Sequence, residues 1–246
     1  MVLALLSDIH ANLEALLSCI AHANARGAGR YAFLGDHIGY GADPTAVLDI
    51  LGDYASRGAV VLKGNHDAAI AGAGGYFNRP AAEAIAWTRK ALSPAQEVFL
   101  ESLPLIVREE SICFVHASAA APERWEYVDS TGAAERSARA AARPLTFSGH
   151  VHDQALFGED ARRRMVAFRP QPGVAVPVAS HRAWLALVGS VGQPRDGNPA
   201  AAYALADLEA STITFHRVPY DNQSAARKVR EAGLPEILAY RLERGA

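Results

Sequence analysis

The chain has 246 residues, with 24 Lys and Arg against 26 Asp and Glu, for a formal net charge of −2. That balance excludes the basic footprint of a general nucleic-acid binder and a long charged tail, and a hydrophobic half of the composition excludes a largely disordered chain. Two cysteines, Cys19 and Cys113, are too few for a disulfide scaffold or a cysteine zinc site, and no apolar run approaches the roughly 18 residues of a membrane span.

Residues 2–7 (VLALLS) read as a buried strand, and residues 12–25 as a helix with Leu13, Leu16, Leu17 and Ile20 at helical spacing and Asn12 as its cap. A second strand is expected over 30–35, a helix over 44–51 with Pro44 in its first turn, and a third strand over 59–64. Strand and helix alternating at this spacing predict a parallel sheet with crossover helices. Residues 68–80, rich in glycine, read as a loop, and 81–101 as two helices divided at Ser93-Pro94. Strands follow at 105–110, 111–117 and 145–150, with an Ala/Arg/Glu helix over 131–142. Further strands are expected at 155–159, 163–170, 181–190, 201–207 and 211–218. A helix over 222–232, stopped by Gly233 and Pro235, and a short helical tail complete the chain. With no repeat and no long linker, residues 1–246 read as one domain around two sheets. The first apolar run is too short for a signal peptide and meets Asp8 and His10 at once, so the expected location is the cytoplasm.

Five polar signals each close an apolar run: Asp8-Ile9-His10, Gly35-Asp36, Gly64-Asn65-His66-Asp67, Val115-His116-Ala117 and Gly149-His150-Val151-His152. The carboxyl edge of an α/β sheet is where ligands bind, so these distant residues can share one cleft. In extended chain, residues i and i+2 point to the same side, so Asp8 with His10 and His150 with His152 can each hold an ion. The mixed oxygen and nitrogen donors are too many for one ion and suit two, with an aspartate shared. Imidazole plus carboxylate suits manganese, iron, nickel, cobalt or zinc. A lone Asp-x-His or Gly-Asp is commonly a turn. All five signals in order, each at a strand end, have no structural explanation, because so many converging polar groups are costly without a cation.

This order of motifs resembles the calcineurin-like metallophosphoesterase superfamily. The segments SDIHANLEAL (7–16), GDHIGYGADP (35–44), FNRP…WTRKALS (77–93), GSVGQPRDGNPAA (189–201) and AGLPEILAYRL (232–242) are similar to a prokaryotic branch related to small phosphodiesterases. The resemblance implies a four-layer α/β/β/α sandwich with two divalent ions, manganese foremost. It implies that Asp8, His10, Asp36 and His152 hold one ion, and that Asp36, Asn65, His116 and His150 hold the other. A hydroxide bridging the ions would attack phosphorus, since bound metal brings the pKa of water towards about 7. His66 would be a general acid or phosphate-binding residue, and Asp67 either its orienting partner or an exposed cap of the following turn.

The chain departs from the protein phosphatases and symmetrical dinucleotide hydrolases of the superfamily. They have Asp-Arg-Gly after Gly-Asp, whereas here His37-Ile38-Gly39-Tyr40-Gly41 follows Asp36. Leu187-Val188 also stands where relatives often have Asn-Pro, a change expected to alter backbone geometry and not chemistry. Arg195, in the 192–197 loop, is a candidate phosphate contact, since Arg suits that geometry. Arg162-Arg163-Arg164 reads as a solvated strand end, and His22, His181 and His216 as surface or core residues. His37 is a candidate for the cleft, while Tyr76 and Phe77 read as a lid or as anchors of their loop.

The first reading is a cytoplasmic metal-dependent hydrolase of small phosphate esters, diesters first. The second is a phosphomonoesterase or nucleotide pyrophosphatase on the same machinery. The third, of another class, is a non-catalytic interaction protein with the same fold. A membrane or nucleic-acid partner is not expected, and a homo-oligomer is left open.

Overall fold

A computed structural model describes residues 1–73 and 77–246. The first third follows the expected alternation: β1 (Val2–Leu6), α1 (Leu13–Asn24), β2 (Ala28–Phe33), α2 (Pro44–Ser56) and β3 (Val60–Val61). Next come α3 (Asn65–Ile70), α4 (Arg79–Ala91), α5 (Pro94–Ser102), β4 (Ile106–Arg108), β5 (Ile112–Val115), α6 (Thr131–Ala141) and β6 (Leu145–Ser148). The remainder is β7 (Gln154–Glu159), β8 (Met165–Phe168), β9 (Ala175–Pro177), β10 (Trp184–Val188), β11 (Ala201–Asp207), β12 (Thr212–Val218), α7 (Asn222–Glu231) and α8 (Glu236–Arg244).

Several boundaries differ from expectation. The stretch read as a loop from residue 68 begins inside α3, a short helix of Asn65–Ile70, and its end at residues 79–80 belongs to α4. α2 runs on to Ser56, while the third strand shrinks to two paired residues. β9 has no sequence signal, since it is short, partly exposed and ends in proline, as an edge strand can.

The strands form two six-stranded mixed sheets, ordered β3-β2-β1-β11-β12-β9 and β4-β5-β6-β10-β7-β8. In the first, β1, β2 and β3 are parallel, with Leu5 paired to Ala32 on one side and, antiparallel, to Ala204 of β11 on the other. In the second, β5, β6 and β10 are parallel, with Leu187 beside Ser148. Alternation along β1 assigns the layers. Leu3 and Leu5 meet Phe114, Phe147 and Phe215 between the sheets, while Ala4 and Leu6 face outward to Leu16, Val47 and Leu51 of the helices. On the opposite outer face Ala133, Ala134 and Ala138 of α6 pack on Leu185 and Leu187. The result is the four-layer α/β/β/α sandwich, and the C-terminal ends of β1, β2, β3, β5 and β6 lead into the five polar motifs.

The two cysteines are buried free thiols. Arg162, Arg163 and Arg164 are exposed, and the latter two pair with Glu159 and Asp160. Far from the motifs, His216 stacks on buried Tyr203, whose hydroxyl meets His22 Nδ1 at 2.6 Å. Burial, helped by the neighbouring His22 and Arg26, pushes His216 down to about 4. The unfolded chain then binds a proton that the native state refuses, so His216 favours folding fully above pH 6.5 and loses that contribution as pH falls toward 4. His216→Phe should therefore lose less melting temperature than wild type between pH 7 and pH 5. Equal losses in parallel thermal melts would show that His216 does not titrate on unfolding.

Candidate metal centre

The motif loops do not continue the strands in extended form. Asp8 (φ 53°), His10 (φ 50°), Asp36 (φ 53°), His150 (φ 66°) and His152 (φ 71°) all occupy the left-handed region. Such backbone costs on the order of 1–3 kcal/mol per residue and persists where its surroundings over-determine it. Here cross-loop hydrogen bonds do so. Asp8 N donates to Gly35 O at 3.0 Å, His10 N to Asp36 O at 2.9 Å, Gly192 N to Asp8 O at 2.9 Å and Gly149 N to His116 O at 2.9 Å. A Cβ on Gly64 would collide with the Asp36 backbone and carboxylate, and one on Gly149 with Ser7 and Asp8, so only glycine admits this approach.

These turns gather three overlapping donor groups: Asp8 with His10 and His152, His10 with Asp36 and His66, and Asp36 with His116 and His150. All of these residues are buried. The assumption of extended chain is thus corrected. Asp8 and His10 do share a group, but His150 and His152 fall into different ones, because left-handed turns at both residues send their rings apart. Asp36 stands between the outer groups, with Oδ2 3.8 Å from His10 Nε2 and 3.4 Å from His116 Nε2. Asn65 lies at the start of α3 with its Oδ1 buried and without a hydrogen-bond partner, as is Asp8 Oδ1.

Carbonyl groups orient the imidazoles. Nδ1 of His10 faces Ile38 O at 3.2 Å, that of His116 faces Leu34 O at 2.9 Å, and that of His152 faces Gln193 O at 2.6 Å. A carbonyl only accepts, so each ring carries its proton on Nδ1 and turns Nε2 inward, as metal-ligating histidines do. His10 Nε2 and His152 Nε2 then face each other at 3.2 Å, and His116 Nε2 faces His150 Nδ1 at 3.2 Å. The His10 and His152 lone pairs opposed at that distance favour a cation between or beside them, while one proton can bridge His116 and His150. With the partnerless oxygens of Asp8 and Asn65, this donor set fits divalent transition-metal ions.

The electrostatics agree. Burial pushes Asp8 up to about 6, Asp36 adding to it. Burial acts the same way on Asp36, but the adjoining His116 outweighs it and holds that carboxyl well below the usual range. His116, disfavoured as a cation by burial, is nonetheless raised to about 9 by Asp36. The protein field therefore holds a positive charge at the Asp36–His116 junction. Burial keeps His10, His152 and His150 neutral, the last pushed down to about 3, which leaves their lone pairs free to ligate.

His66 is buried beside the same groups. Its backbone N–H donates to Asp36 Oδ1 at 2.8 Å, and its ring sits between Tyr40 at 4.6 Å and Phe77 at 5.0 Å. Phe77 thus anchors its segment on His66, while Tyr76 lies outside the described residues. Asp67 is neither exposed nor hydrogen-bonded to His66. Its buried carboxylate accepts from His37 N at 3.0 Å and Gly64 N at 2.8 Å, bracing the two loops. His37 does not enter the cleft. It is wholly buried, with Nε2 bonded to Leu62 O at 2.7 Å, because it lies on the core side of the turn that presents Asp36. Arg195 lines the cleft, a cavity of about 160 Å³ that also exposes Asp36, Asn65, His66 and His150.

Three contributors had not been read from the sequence. Gln193 orients His152 through its carbonyl, Tyr127 stacks on His150 at 4.2 Å, and Arg241 of α8 lines the same cavity. Tyr127 lies in no motif, Gln193 and Arg241 fall within the segments 189–201 and 232–242 without a role read for them there, and Arg241 reaches the cleft only through the packing of the C-terminal helices.

A family model described as the calcineurin-like phosphoesterase superfamily domain matches residues 1–211. An uncharacterized protein of Methanocaldococcus jannaschii is 34% identical over 247 residues, covering 98% of this chain and 97% of that protein. The crystal structure of a metallophosphoesterase from Sphaerobacter thermophilus superposes with a TM-score of 0.89 at 35% identity, covering 100% of this chain and 99% of the other. A hypothetical protein of Pyrococcus horikoshii shares the fold with a TM-score of 0.80 at 19% identity, over 100% of this chain and 98% of that one.

Proposed function

Because the chain belongs to the calcineurin-like phosphoesterase superfamily, we propose that it hydrolyses phosphodiesters at two divalent metal ions, manganese first, held by the groups that meet at Asp36. The observation that carries this reading is the position of Asp36 Oδ2, within 4 Å of imidazole nitrogens from both outer groups. Asp8, His10, Asp36 and His152 would hold one ion, and Asp36, Asn65, His116 and His150 the other. When bound, such ions supply hydroxide near neutral pH and neutralise charge on the phosphoryl oxygens.

The chain's own residues do the rest. His66, outside the ligand sets and held between Tyr40 and Phe77, delivers a proton to the leaving oxygen. Tyr40 and Phe77 offer ring surface to the second ester group that distinguishes a diester from a monoester. Arg195, whose guanidinium lies 5.9 Å from the Tyr40 ring centroid and 3.5 Å from its hydroxyl, orients the phosphoryl group from the rim. No arginine follows Asp36 in its own loop, which removes one grip on a monoester dianion. No helix among the described residues is long and apolar enough to cross a membrane, and the two free cysteines fit the reducing cytoplasm, where we place the protein.

The test is turnover by protein stripped and reloaded with manganese, iron, nickel, cobalt or zinc. Bis(p-nitrophenyl) phosphate should be hydrolysed only with metal, with kcat/KM at least about tenfold above that for p-nitrophenyl phosphate, a difference of about 1.4 kcal/mol. A tenfold preference for the monoester, abolished in Arg195→Ala, would replace the diester reading with a monoesterase clamped by Arg195. Failure of every metal with both substrates would leave the interaction-protein reading.

A further inference from the structure

The outer wall of the cleft carries more positive charge than the scissile phosphate accounts for. Arg195 and Arg241 both line the cavity, one from the loop before β11 and the other from α8. Among the described residues neither guanidinium has an acidic partner within 4.0 Å, and the side chain of half-buried Arg241 makes no hydrogen bond. By contrast, the nearby Arg230 is fully engaged with Glu236 and Glu243, and Arg217 with Asp196. Among the residues that line the cavity, Asp36 is the lone carboxylate, and its charge is committed to the histidines around it. Two like charges aimed into one cavity without a counter-ion repel each other. Burial and the Arg195 charge accordingly hold Arg241 below the ordinary guanidinium range.

The arrangement is built, not accidental. Leu238, Ala239 and Leu242 seat α8 against Tyr40, Ala81 and Ala84, which fixes the face that bears Arg241. The end of α8 is tied to the Arg195 loop by a Gly197 N–H to Gly245 O bond of 2.7 Å, which links the two elements that carry the arginines. They line it from different elements. Arg195 stands 5.9 Å from the Tyr40 ring centroid and 3.5 Å from its hydroxyl, and Arg241 enters from α8, so two guanidinium charges share one cavity. One phosphoryl group held at Asp36 and the histidines and met by Arg195 leaves the Arg241 charge for a second anion.

We propose that Arg195 and Arg241 form an anion subsite beyond the metal centre, and that it takes a second phosphate group carried by the substrate next to the scissile one. This rests on the phosphoesterase reading and narrows its substrate class to those in which the scissile phosphoryl group is joined to a second phosphate through an anhydride oxygen. Arg241 is then the residue that selects for that charge, and it lies outside the part of the chain that the family model matches.

The test compares binding of two non-hydrolysed probes, inorganic phosphate and methylenediphosphonate, by calorimetry at a fixed free manganese concentration. Wild type should bind methylenediphosphonate at least about tenfold more tightly than phosphate, the effect of one charge-assisted contact. Arg241→Ala should abolish that preference, and Arg241→Lys, which keeps the charge without the fork, should restore part of it. Circular dichroism confirms that each variant is folded, and Arg195→Ala provides a second truncation should Arg241→Ala not fold. Equal affinities in wild type, or a preference that survives both alanine variants, overturns the subsite. Bis(p-nitrophenyl) phosphate turnover in the same preparations reports on the hydrolase reading separately. Turnover with no diphosphonate preference sinks only the subsite, and a preference without turnover sinks only the hydrolase.

Discussion

Asp36→Asn is expected to empty both metal positions and to lower turnover about 100-fold or more. Among the described residues the carboxylate is the one acidic group near imidazoles of both outer clusters, 3.8 Å from His10 Nε2 and 3.4 Å from His116 Nε2. Asparagine keeps the shape, and its amide oxygen can still accept the 2.8 Å bond from His66 N. It removes the negative charge that holds a positive one at this junction. Disturbing even an outer-shell partner typically costs 10–100-fold in metal affinity or activity, so the loss of a shared ligand should exceed that. His10→Gln touches only one side and should leave more metal in place. Elemental analysis of wild type and both variants, purified with excess manganese, measures this. A wild-type chain that holds at most one ion, or an Asp36→Asn variant no poorer in metal than His10→Gln, would contradict the shared-carboxylate arrangement.

His66→Ala should leave metal content near that of wild type and remove about 10²–10⁴-fold of turnover, the range for loss of a general acid. Its ring lies against Tyr40 and Phe77, on the substrate side of the cluster, and Nδ1 has no hydrogen-bond partner. The same imidazole shares a donor group with His10 and Asp36, so a ligand role is the specific competitor. Metal content distinguishes them. Metal loss matching that of His116→Ala would make His66 a ligand. A general acid is also needed least when the leaving group is a good one. His66→Ala should therefore lose more turnover on methyl phenyl phosphate, cleaved toward phenol, than on bis(p-nitrophenyl) phosphate, cleaved toward p-nitrophenolate. Equal losses on the two would argue for phosphate binding and not proton transfer.

The convergence of the five motifs was legible in the sequence, as was the fold class. Each motif closes an apolar run, and parallel strands joined by crossover helices bring their carboxyl ends to one edge. Asp8, His10, Asp36, Asn65, His66, His116, His150 and His152 converge for that reason, although as many as 144 positions separate Asp8 from His152. Other features are set by contacts between elements remote in sequence. Pairing by i and i+2 failed for His150 and His152 because left-handed turns, imposed by cross-loop hydrogen bonds, replace the extended chain that the rule assumes. His37 and Asp67 carry the right chemistry in the right motifs, yet the close approach of the Asp36 turn to Gly64 turns one into the core and uses the other as a brace. Arg241 is one of two arginines in the C-terminal helix. It becomes a cleft residue because Leu238 and Leu242 dock that helix beside Tyr40, a packing choice that no local pattern encodes.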